Sequence, residues 1–254
     1  MSIASSLGAA TTLASCSGFY GHLMPSSLPA SAYTPETFVR LSQYHSEHGV
    51  LLNRFGERFT DESRGDHHNA VSLSRIDDMT AYLVIDERIQ RMHVRTPYAQ
   101  GMLEGDDKLH FAQSIGARYA EADSLRSLVS ILAEWGIPSS AAHNTLVRFN
   151  AAMEDDKACR TLRPPRSRLR VGLSEPPFSV IEVTPAITFS YGGVITDEDG
   201  HALDRTGKKV QGLYAAGADI GRLYARGYAG GLSRSLVFGL RSGSAIALET
   251  GRRP

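Results

Sequence analysis

The feature of this sequence that most constrains its fold is a glycine-rich stretch near the C-terminus. Residues 213–216 form a short apolar run, typical of a buried strand, that ends at Gly217. A glycine-rich loop follows, and the apolar pattern that starts near Gly230 predicts a helix. The first turn of a helix has unpartnered N–H groups and a partial positive charge, and nearby glycines let a ligand approach the main chain. This stretch therefore predicts a site for a planar or anionic ligand.

Composition excludes several classes of protein. The 254 residues include 27 basic and 27 acidic side chains, so no broad charge favours nucleic acid or an anionic membrane. No apolar run reaches the ~18 residues that a membrane-spanning helix needs. The two cysteines, Cys16 and Cys159, are far apart, which argues against a disulfide framework and favours the cytoplasm. The alternative is a lipoprotein-type export signal ending at Cys16, although no Lys or Arg precedes it.

Apolar periodicity and turn residues predict mixed helices and strands. Thr34 is expected to cap the second helix, and Gly239 and Gly243 are expected to let the last helix pack closely against another backbone. The basic segment 157–170 contains no acidic residue and is expected to be a solvated linker. Predicted helices cover residues 3–14, 35–49, 108–120, 124–135, 139–153 and 232–249, and predicted strands cover 50–52, 81–85, 178–181, 187–190, 194–196, 201–203 and 213–216.

Several ordered motifs together resemble one family. The chain is similar to the FAD-dependent fumarate reductase/succinate dehydrogenase-like flavoproteins, which include tricarballylate dehydrogenase-like and 3-ketosteroid dehydrogenase-like members. The resemblance covers roughly residues 15–250. The motifs are FYGHLMP at 19–25, VLLNRFGERFTDE at 50–62, YGGV at 191–194, GLYAAGAD at 212–219 and GYAGGL at 227–232.

The resemblance implies an α+β chain with a truncated flavoprotein fold. It combines an α/β remnant of an FAD-binding domain with an α+β capping domain. Residues 1–25 and 171–254 would belong to the FAD-binding domain, and residues 26–170, with the linker, would form the capping domain that holds substrate.

The implied cofactor is FAD, with the pyrimidine edge of its flavin facing the predicted helix start. Helix N-termini stabilise the negative charge that a reduced flavin carries. Asp219 matches a position that contacts the ribityl or phosphate region, although it could instead cap the next turn. The glycines match positions of close backbone approach, although plain turns would also explain them. The implied cofactor-binding residues are Gly192, Gly193, Gly217, Asp219, Gly230, Gly231 and Leu232.

The implied reaction passes hydride between flavin N5 and a C–C bond next to a carboxylate or carbonyl of a small substrate. His22 matches a substrate-binding histidine, although a histidine satisfied within its own turn is the alternative. Arg64 lies near the family's proton-delivering arginine but two residues closer to the preceding motif, and it could instead be a surface arginine paired with Asp61 or Asp66. Arginine suits carboxylates because its planar fork donates two parallel hydrogen bonds.

The chain departs from the fumarate reductase pattern at two substrate positions. Phe189 stands where those enzymes have a histidine, and Gly227-Tyr228 stands where they have Asn-Arg, with Arg226 just before. A tyrosine at this position resembles the ketosteroid-type enzymes, in which it donates a hydrogen bond to a substrate carbonyl. The candidate catalytic residues are therefore Arg64, His22, Tyr228 and Arg226, and the substrate class includes enones as well as carboxylates.

One element of the family is absent from the sequence. No Gly-x-Gly-x-x-Gly turn, which holds the pyrophosphate of a dinucleotide, occurs in these 254 residues. A separate chain or a missing segment is therefore expected to supply that half. The alternative is a non-catalytic remnant or interaction protein that no longer binds FAD stably. No metal site is expected, because the histidines at 45, 48, 67 and 68 do not form a convincing ligand set.

Overall fold

A computed structural model of the chain describes residues 2–12, 18–96, 107–224 and 230–251. The chain divides into two compact units. Unit 1 consists of Met1–Tyr20 and Ile187–Pro254, and unit 2 consists of Gly21–Ala186. Unit 1 is therefore assembled from the two ends of the sequence.

The chain contains both helices and strands, and the predicted mixture of α and β structure is confirmed. Short 3₁₀ helices cover Tyr44–Glu47, Glu62–Arg64 and Gly217–Asp219, and one π-helical turn covers Gln90–Val94. The strands are β1 (Phe19–Pro25), β2 (Val50–Leu52), β3 (Ala81–Asp86), β4 (Tyr119–Ala122), β5 (Phe178–Ser190), β6 (His201–Leu203) and β7 (Lys209–Tyr214). The helices are α1 (Ser2–Ser6), α2 (Pro35–Leu41), α3 (Asp66–Leu73), α4 (Glu87–Ile89), α5 (Lys108–Ser114), α6 (Leu125–Glu134), α7 (Ser139–Met153), α8 (Asp156–Thr161) and α9 (Gly231–Glu249).

The main sheet has the strand order β1-β5-β3-β2, with β4 pairing with β5. Strand β3 lies at its centre and is antiparallel to both neighbours, with Val84 opposite Val50 of β2 and Val180 of β5. All six residues of β3 are buried, which explains why its sequence is nearly all apolar instead of alternating. The two predicted strands at 178–181 and 187–190 are one continuous strand, β5.

The predicted helices with the clearest periodicity are confirmed. Ser124 caps α6 by accepting a hydrogen bond from the Ser127 N–H, and Leu128 and Leu132 face the core. The capping role of Thr34 at α2 is also confirmed. Two predicted helices are shorter than expected, because β4 follows α5 and a 3₁₀ turn follows α2. The predicted helix over residues 3–14 is wrong beyond Ser6, since Thr11 instead forms a β-bridge with Val194.

A buried ion network connects the motif at residues 50–62 to the basic segment. The Glu62 carboxylate accepts hydrogen bonds from Arg58 Nε at 2.9 Å and Arg58 Nη2 at 2.6 Å, and from Arg166 Nη1 at 3.2 Å. Arg166 also donates to the carbonyl oxygens of Glu47 and Gly49, at 2.8 and 3.2 Å. Glu62 and Arg166 are both 0% exposed. The prediction of a solvated linker is therefore wrong at Arg166, whose charge is paired inside unit 2.

Three histidines lie close together in unit 2. The rings of His48 and His93 stack in parallel, with centroids 3.6 Å apart and planes 8° apart. Burial, together with the charges of His93, Arg166 and Arg88, lowers the pKa of His48 to about 4. Burial also lowers the pKa of His45 to about 3, with Lys108 contributing, and lowers the pKa of His93. In the parts of the chain that the structure describes, no group of three or more His, Cys, Asp or Glu side chains could hold a metal ion.

These histidines predict that stability falls in mild acid. Each has a pKa of 6.5 when unfolded, so the unfolded chain binds more protons than the folded one between pH 6.5 and about 4. The free energy of unfolding should therefore decrease as pH falls through this window, by up to ~1.4 kcal/mol per pH unit for each histidine. Urea unfolding at a series of pH values measures the slope. The double variant His48→Gln/His93→Gln should reduce the slope of the unfolding free energy against pH. The control His143→Gln, on α7, should leave that slope unchanged. Equal slopes in the unaltered protein and both variants would contradict the prediction.

Helix α9 in unit 1 is held to the β6–β7 hairpin by polar contacts. His201 Nε2 lies 2.8 Å from Glu249 Oε1, and Arg241 donates to Asp199 at 3.0 Å. Another face of the helix is apolar and exposed. The exposed leucines of this face are Leu232, Leu236 and Leu240.

Gly239 and Gly243 also lie in α9. A Cβ at either position would have no atom within 4 Å among the described residues, so the expected close packing against another backbone is not found there.

Candidate functional site

Two segments of unit 1 approach each other closely at predicted cofactor-binding residues. The Val194 N–H donates to the Asp219 carbonyl at 2.7 Å, and the Gly221 N–H donates to the Val194 carbonyl at 2.9 Å. A Cβ at Gly193 would lie 2.3 Å from Gly221 N and 2.4 Å from Asp219 O, which is too close for any side chain. The structure thus brings Gly193 and Asp219 together, and Gly193 permits a contact between backbones. Gly192, just before it, is also buried.

Gly217 and Asp219 lie in the 3₁₀ turn that follows β7. Gly217 has a φ of +63°, which a side chain would strain, and a Cβ there would lie 3.0 Å from Ser235 Oγ of α9. The Asp219 side chain is exposed, and within the described ranges its carboxylate has no hydrogen-bond partner. The alternative in which Asp219 caps the next turn is therefore not supported.

The predicted helix start is confirmed at Gly230-Gly231. Gly230 is the N-cap residue of α9 with a φ of +66°, and it has no side chain with which to cap the first turn. The first turn contains no acidic residue, so no carboxylate within that turn offsets the positive end of this 19-residue helix. Leu232 follows and is 87% exposed. Residues 225–229, and with them the candidates Arg226 and Tyr228, lie outside the described residues.

Arg234 is a further candidate residue that the sequence motifs do not indicate. This residue lies in the first turns of α9, yet it is buried, and its guanidinium is packed against the rings of Tyr224 and Phe189. Its Nε has no hydrogen-bond partner among the described residues. In the sequence, its burial is suggested only by its position in the predicted helix, where it lies on a different side from the leucines at 232, 236 and 240.

His22 lies on β1 in unit 2 and contacts residues of three other elements. Its ring is buried and makes edge contacts with the rings of Tyr44 and Phe38, at centroid distances of 4.6 and 5.9 Å. Its Nδ1 is paired with the carboxylate of Asp66, the first residue of α3. Gly65 comes directly before Asp66, and its φ of +107° turns the chain into α3. From the sequence, Asp66 was a candidate partner only for Arg64. His22 and Asp66 are far apart along the chain, so the sequence does not reveal that they pair.

Asp66, the partner of His22, interacts electrostatically with a second acidic group, Glu47. Burial raises the pKa of Glu47, and the nearby charge of Asp66 raises it further. Burial lowers the pKa of His67, the residue after Asp66, and its hydrogen bond to the Gly21 backbone partly opposes that shift. Arg64 ends a 3₁₀ turn and is exposed. Among the described residues Arg64 forms no ion pair, since Asp66 pairs with His22 and Asp61 accepts from Ser63 Oγ and the Ser167 N–H. The structure thus contradicts the alternative pairings of Arg64.

Comparison with known proteins identifies the family. The profile of the FAD binding domain family matches residues 9–233. The chain belongs to this family. It is 28% identical over 201 residues to the fumarate reductase (cytochrome) of Shewanella frigidimarina, covering 78% of this chain and 32% of that protein. It is 25% identical over 253 residues to the 3-oxosteroid 1-dehydrogenase of Mycobacterium tuberculosis, covering 89% of this chain and 43% of that protein.

A solved structure shares the fold. The 3-ketosteroid Δ1-dehydrogenase of Sterolibacterium denitrificans superimposes with a TM-score of 0.66 at 19% identity, covering 97% of this chain and 46% of that one. The chain thus spans less than half the length of these relatives. No helix in the described ranges has the length and apolar character needed to cross a membrane.

The residues of unit 1 fit the ring end of FAD, the cofactor that the family implies. Gly217 and Gly230 adopt left-handed backbone conformations near the α9 start, which a side chain would strain. The α9 N-terminus supplies positive potential. The buried Arg234 Nε is a donor without a partner in the described part of the chain, as expected where a ligand completes the site.

Proposed function

We propose that this chain carries the flavin-ring and substrate parts of an FAD-dependent oxidoreductase. The reaction would pass hydride between flavin N5 and a C–C bond next to a carboxylate or carbonyl of a small substrate. The observation that carries this proposal is the start of α9, where the N-cap residue is a glycine and has no side chain to cap the helix. The chain that contains this helix start belongs to an FAD-binding family.

The proposed cofactor contacts are the glycines at 192, 193, 217, 230 and 231, together with Asp219 and Leu232. FAD, when bound, supplies the two-electron chemistry. The main chain at the α9 start would donate hydrogen bonds to the polar edge of the ring. The exposed carboxylate of Asp219 would accept from the ribityl hydroxyls.

The proposed substrate contacts begin with His22 and Arg64. The imidazole of His22, oriented by Asp66 at Nδ1, would contact a substrate oxygen through Nε2. Arg64 is exposed and without an ion pair in the described ranges, so its guanidinium is available for a carboxylate or for proton delivery. Arg226 would hold a second carboxylate oxygen, or Tyr228 would donate to a carbonyl, and this choice separates carboxylate from enone substrates.

We further propose that a dinucleotide-binding half, in a separate chain or a segment outside these residues, completes the cofactor site. Residues 26–170 would be the capping domain, and residues 1–25 and 171–254 would be FAD-binding. The exposed leucines of α9 supply an apolar face on which another element could pack. We place the protein in the cytoplasm, since Cys159 is a free, buried thiol.

The second candidate function is a non-catalytic remnant that no longer binds FAD stably. The exposed apolar face of α9 favours it, because a chain that had lost its partner half would expose such a surface. Flavin binding separates the two functions.

Flavin binding by the full 254-residue chain tests the proposed function. Because the sequence contains the ring site but no dinucleotide turn, FAD and FMN should bind with similar, weak affinity, within about tenfold of each other. Flavin fluorescence titration measures both constants, and absorbance after desalting shows retention. Failure of both flavins to bind at millimolar concentration would favour the remnant.

A matched pair of glycine variants localises the flavin. Gly217→Ala should abolish binding, because a side chain there is strained and lies against Ser235 of α9. Gly207→Ala is the control, since it carries a similar strain at a φ of +84° with open space around it, in the turn between β6 and β7. Equal losses in both variants would contradict the placement of the ring at α9.

A further inference from the structure

Arg234 is held by an aromatic cluster in unit 1. Its Cζ lies 4.9 Å from the ring centroid of Tyr224 and 5.2 Å from that of Phe189. Tyr191 packs against both rings, at 5.6 Å from Tyr224 and 6.3 Å from Phe189. The guanidinium is therefore fixed in place by π faces that attract a cation and orient it.

The charge of Arg234 is not balanced by a carboxylate. The residue is 8% exposed, and it forms no ion pair within residues 2–12, 18–96, 107–224 and 230–251. Its buried Nε has no hydrogen-bond partner there. Cation–π contacts contribute ~0.5–2 kcal/mol, whereas burying an unpaired charge costs several kcal/mol. A group of this kind is expected where a ligand supplies the missing negative charge.

The side chain extends toward the start of α9. Arg234 is the fourth residue of the helix, and side chains on a helix tilt back toward its N-terminus. Its contact with Tyr224, the last described residue before α9, agrees with this direction. The guanidinium and the positive end of a 19-residue helix therefore act on the same region.

We propose that Arg234 and the first turn of α9 form an anion site whose occupant is the negatively charged pyrimidine edge of reduced flavin. This inference rests on the proposed function, and it assigns a role in tuning the cofactor to a residue outside the predicted site. Two electrons and one proton taken up by the ring leave it with one negative charge, while the oxidised ring is neutral. Arg234 should therefore stabilise the reduced state more than the oxidised one, which raises the reduction potential.

A titration without flavin tests the anion site itself. In the full chain, sodium sulfate at constant ionic strength should shift the Nε–H resonance of Arg234 in a saturable way. Arg234→Met should abolish sulfate binding measured by calorimetry, and methionine is expected to fold because it packs well on aromatic rings. The control Arg205→Met removes an exposed arginine of unit 1 and should leave binding unchanged. Absence of a shift in the unaltered chain, or equal effects of the two variants, overturns the anion site.

Measurements on the flavin-loaded protein distinguish the occupants. Arg234→Met should reduce the affinity ratio for reduced over oxidised flavin about tenfold, which corresponds to ~30 mV for a two-electron couple. Arg234→Lys, which keeps the charge but loses the planar fork, should give a smaller shift. An unchanged ratio together with weaker binding of succinate would mean that the site holds a substrate carboxylate, which overturns the flavin assignment. If the chain binds no flavin, both the proposed function and the assignment of flavin to this site are overturned. The sulfate titration then still decides whether the anion site exists.

Discussion

Replacing Glu62 by glutamine is expected to lower the free energy of unfolding by about 3–5 kcal/mol. The carboxylate is fully buried between Arg58 and Arg166, and the substitution leaves two cations with no buried negative charge between them. Glutamine also cannot accept all the hydrogen bonds, which include one from the Leu51 N–H at 3.1 Å. Urea unfolding followed by circular dichroism measures the loss.

Glu57→Gln is the matched control, because Glu57 lies in the same motif but is exposed. It should change the free energy of unfolding by less than ~0.5 kcal/mol. A triple variant, Arg58→Met/Glu62→Leu/Arg166→Met, should regain part of the stability, since apolar replacement of a whole buried ion network is far less harmful than removal of one member. If Glu62→Gln and Glu57→Gln are equally stable, the buried network does not hold the basic segment in place.

Asp66→Asn is expected to lower turnover of the flavin-loaded enzyme about 10²–10⁴-fold, provided that His22 contacts substrate. The ionised carboxylate of Asp66 can only accept, so the proton of a neutral His22 must lie on Nδ1 and the lone pair on Nε2. An asparagine can donate to Nδ1 through its amide and so permits the opposite tautomer. The measurement is kcat with dicarboxylate and enone substrates, with Asp77→Asn as the control because Asp77 is exposed beyond α3.

A spectroscopic readout makes the role of Asp66 testable without substrate. In ¹⁵N-histidine-labelled protein, the His22 signals, assigned by their loss in His22→Gln, should show Nδ1 protonated, and Asp66→Asn should move much of the proton to Nε2. A structural role alone would not change the tautomer. A proton on Nε2 with none on Nδ1 in the unaltered chain would contradict the pairing.

Local patterns made much of the fold predictable. The spacing of Leu128 and Leu132 behind a serine cap predicts α6, and Gly230-Gly231 before an apolar stripe predicts α9. Both depend on residues three or four positions apart, which the sequence displays directly. The helix predicted over 108–120 was too long, because residues 119–122 pair with β5, and this pairing partner is distant along the chain.

Some residues of the candidate site could likewise be identified from the sequence, and others could not. The glycines at 217 and 230 could be singled out from sequence, since a turn into a helix favours them wherever the rest of the chain lies. Arg234, Asp66 and Arg166 could not, because an arginine or aspartate in a helix or a basic segment is usually solvated. Their burial depends on partners that only the folded chain brings near.

Helix starts, positions that require glycine and the family motifs that imply FAD can be identified from the sequence, because they depend on short-range geometry and residue identity. The pairing of charges depends instead on the folded chain. His22 pairs with Asp66, which lies 44 residues away along the chain, and Glu62 pairs with Arg166, which lies 104 residues away. The free energy of a charge depends on its burial and on the groups within a few ångströms of it. The start of α9, recognised first as a site for a planar or anionic ligand, therefore gains its buried cation, Arg234, only in the folded protein.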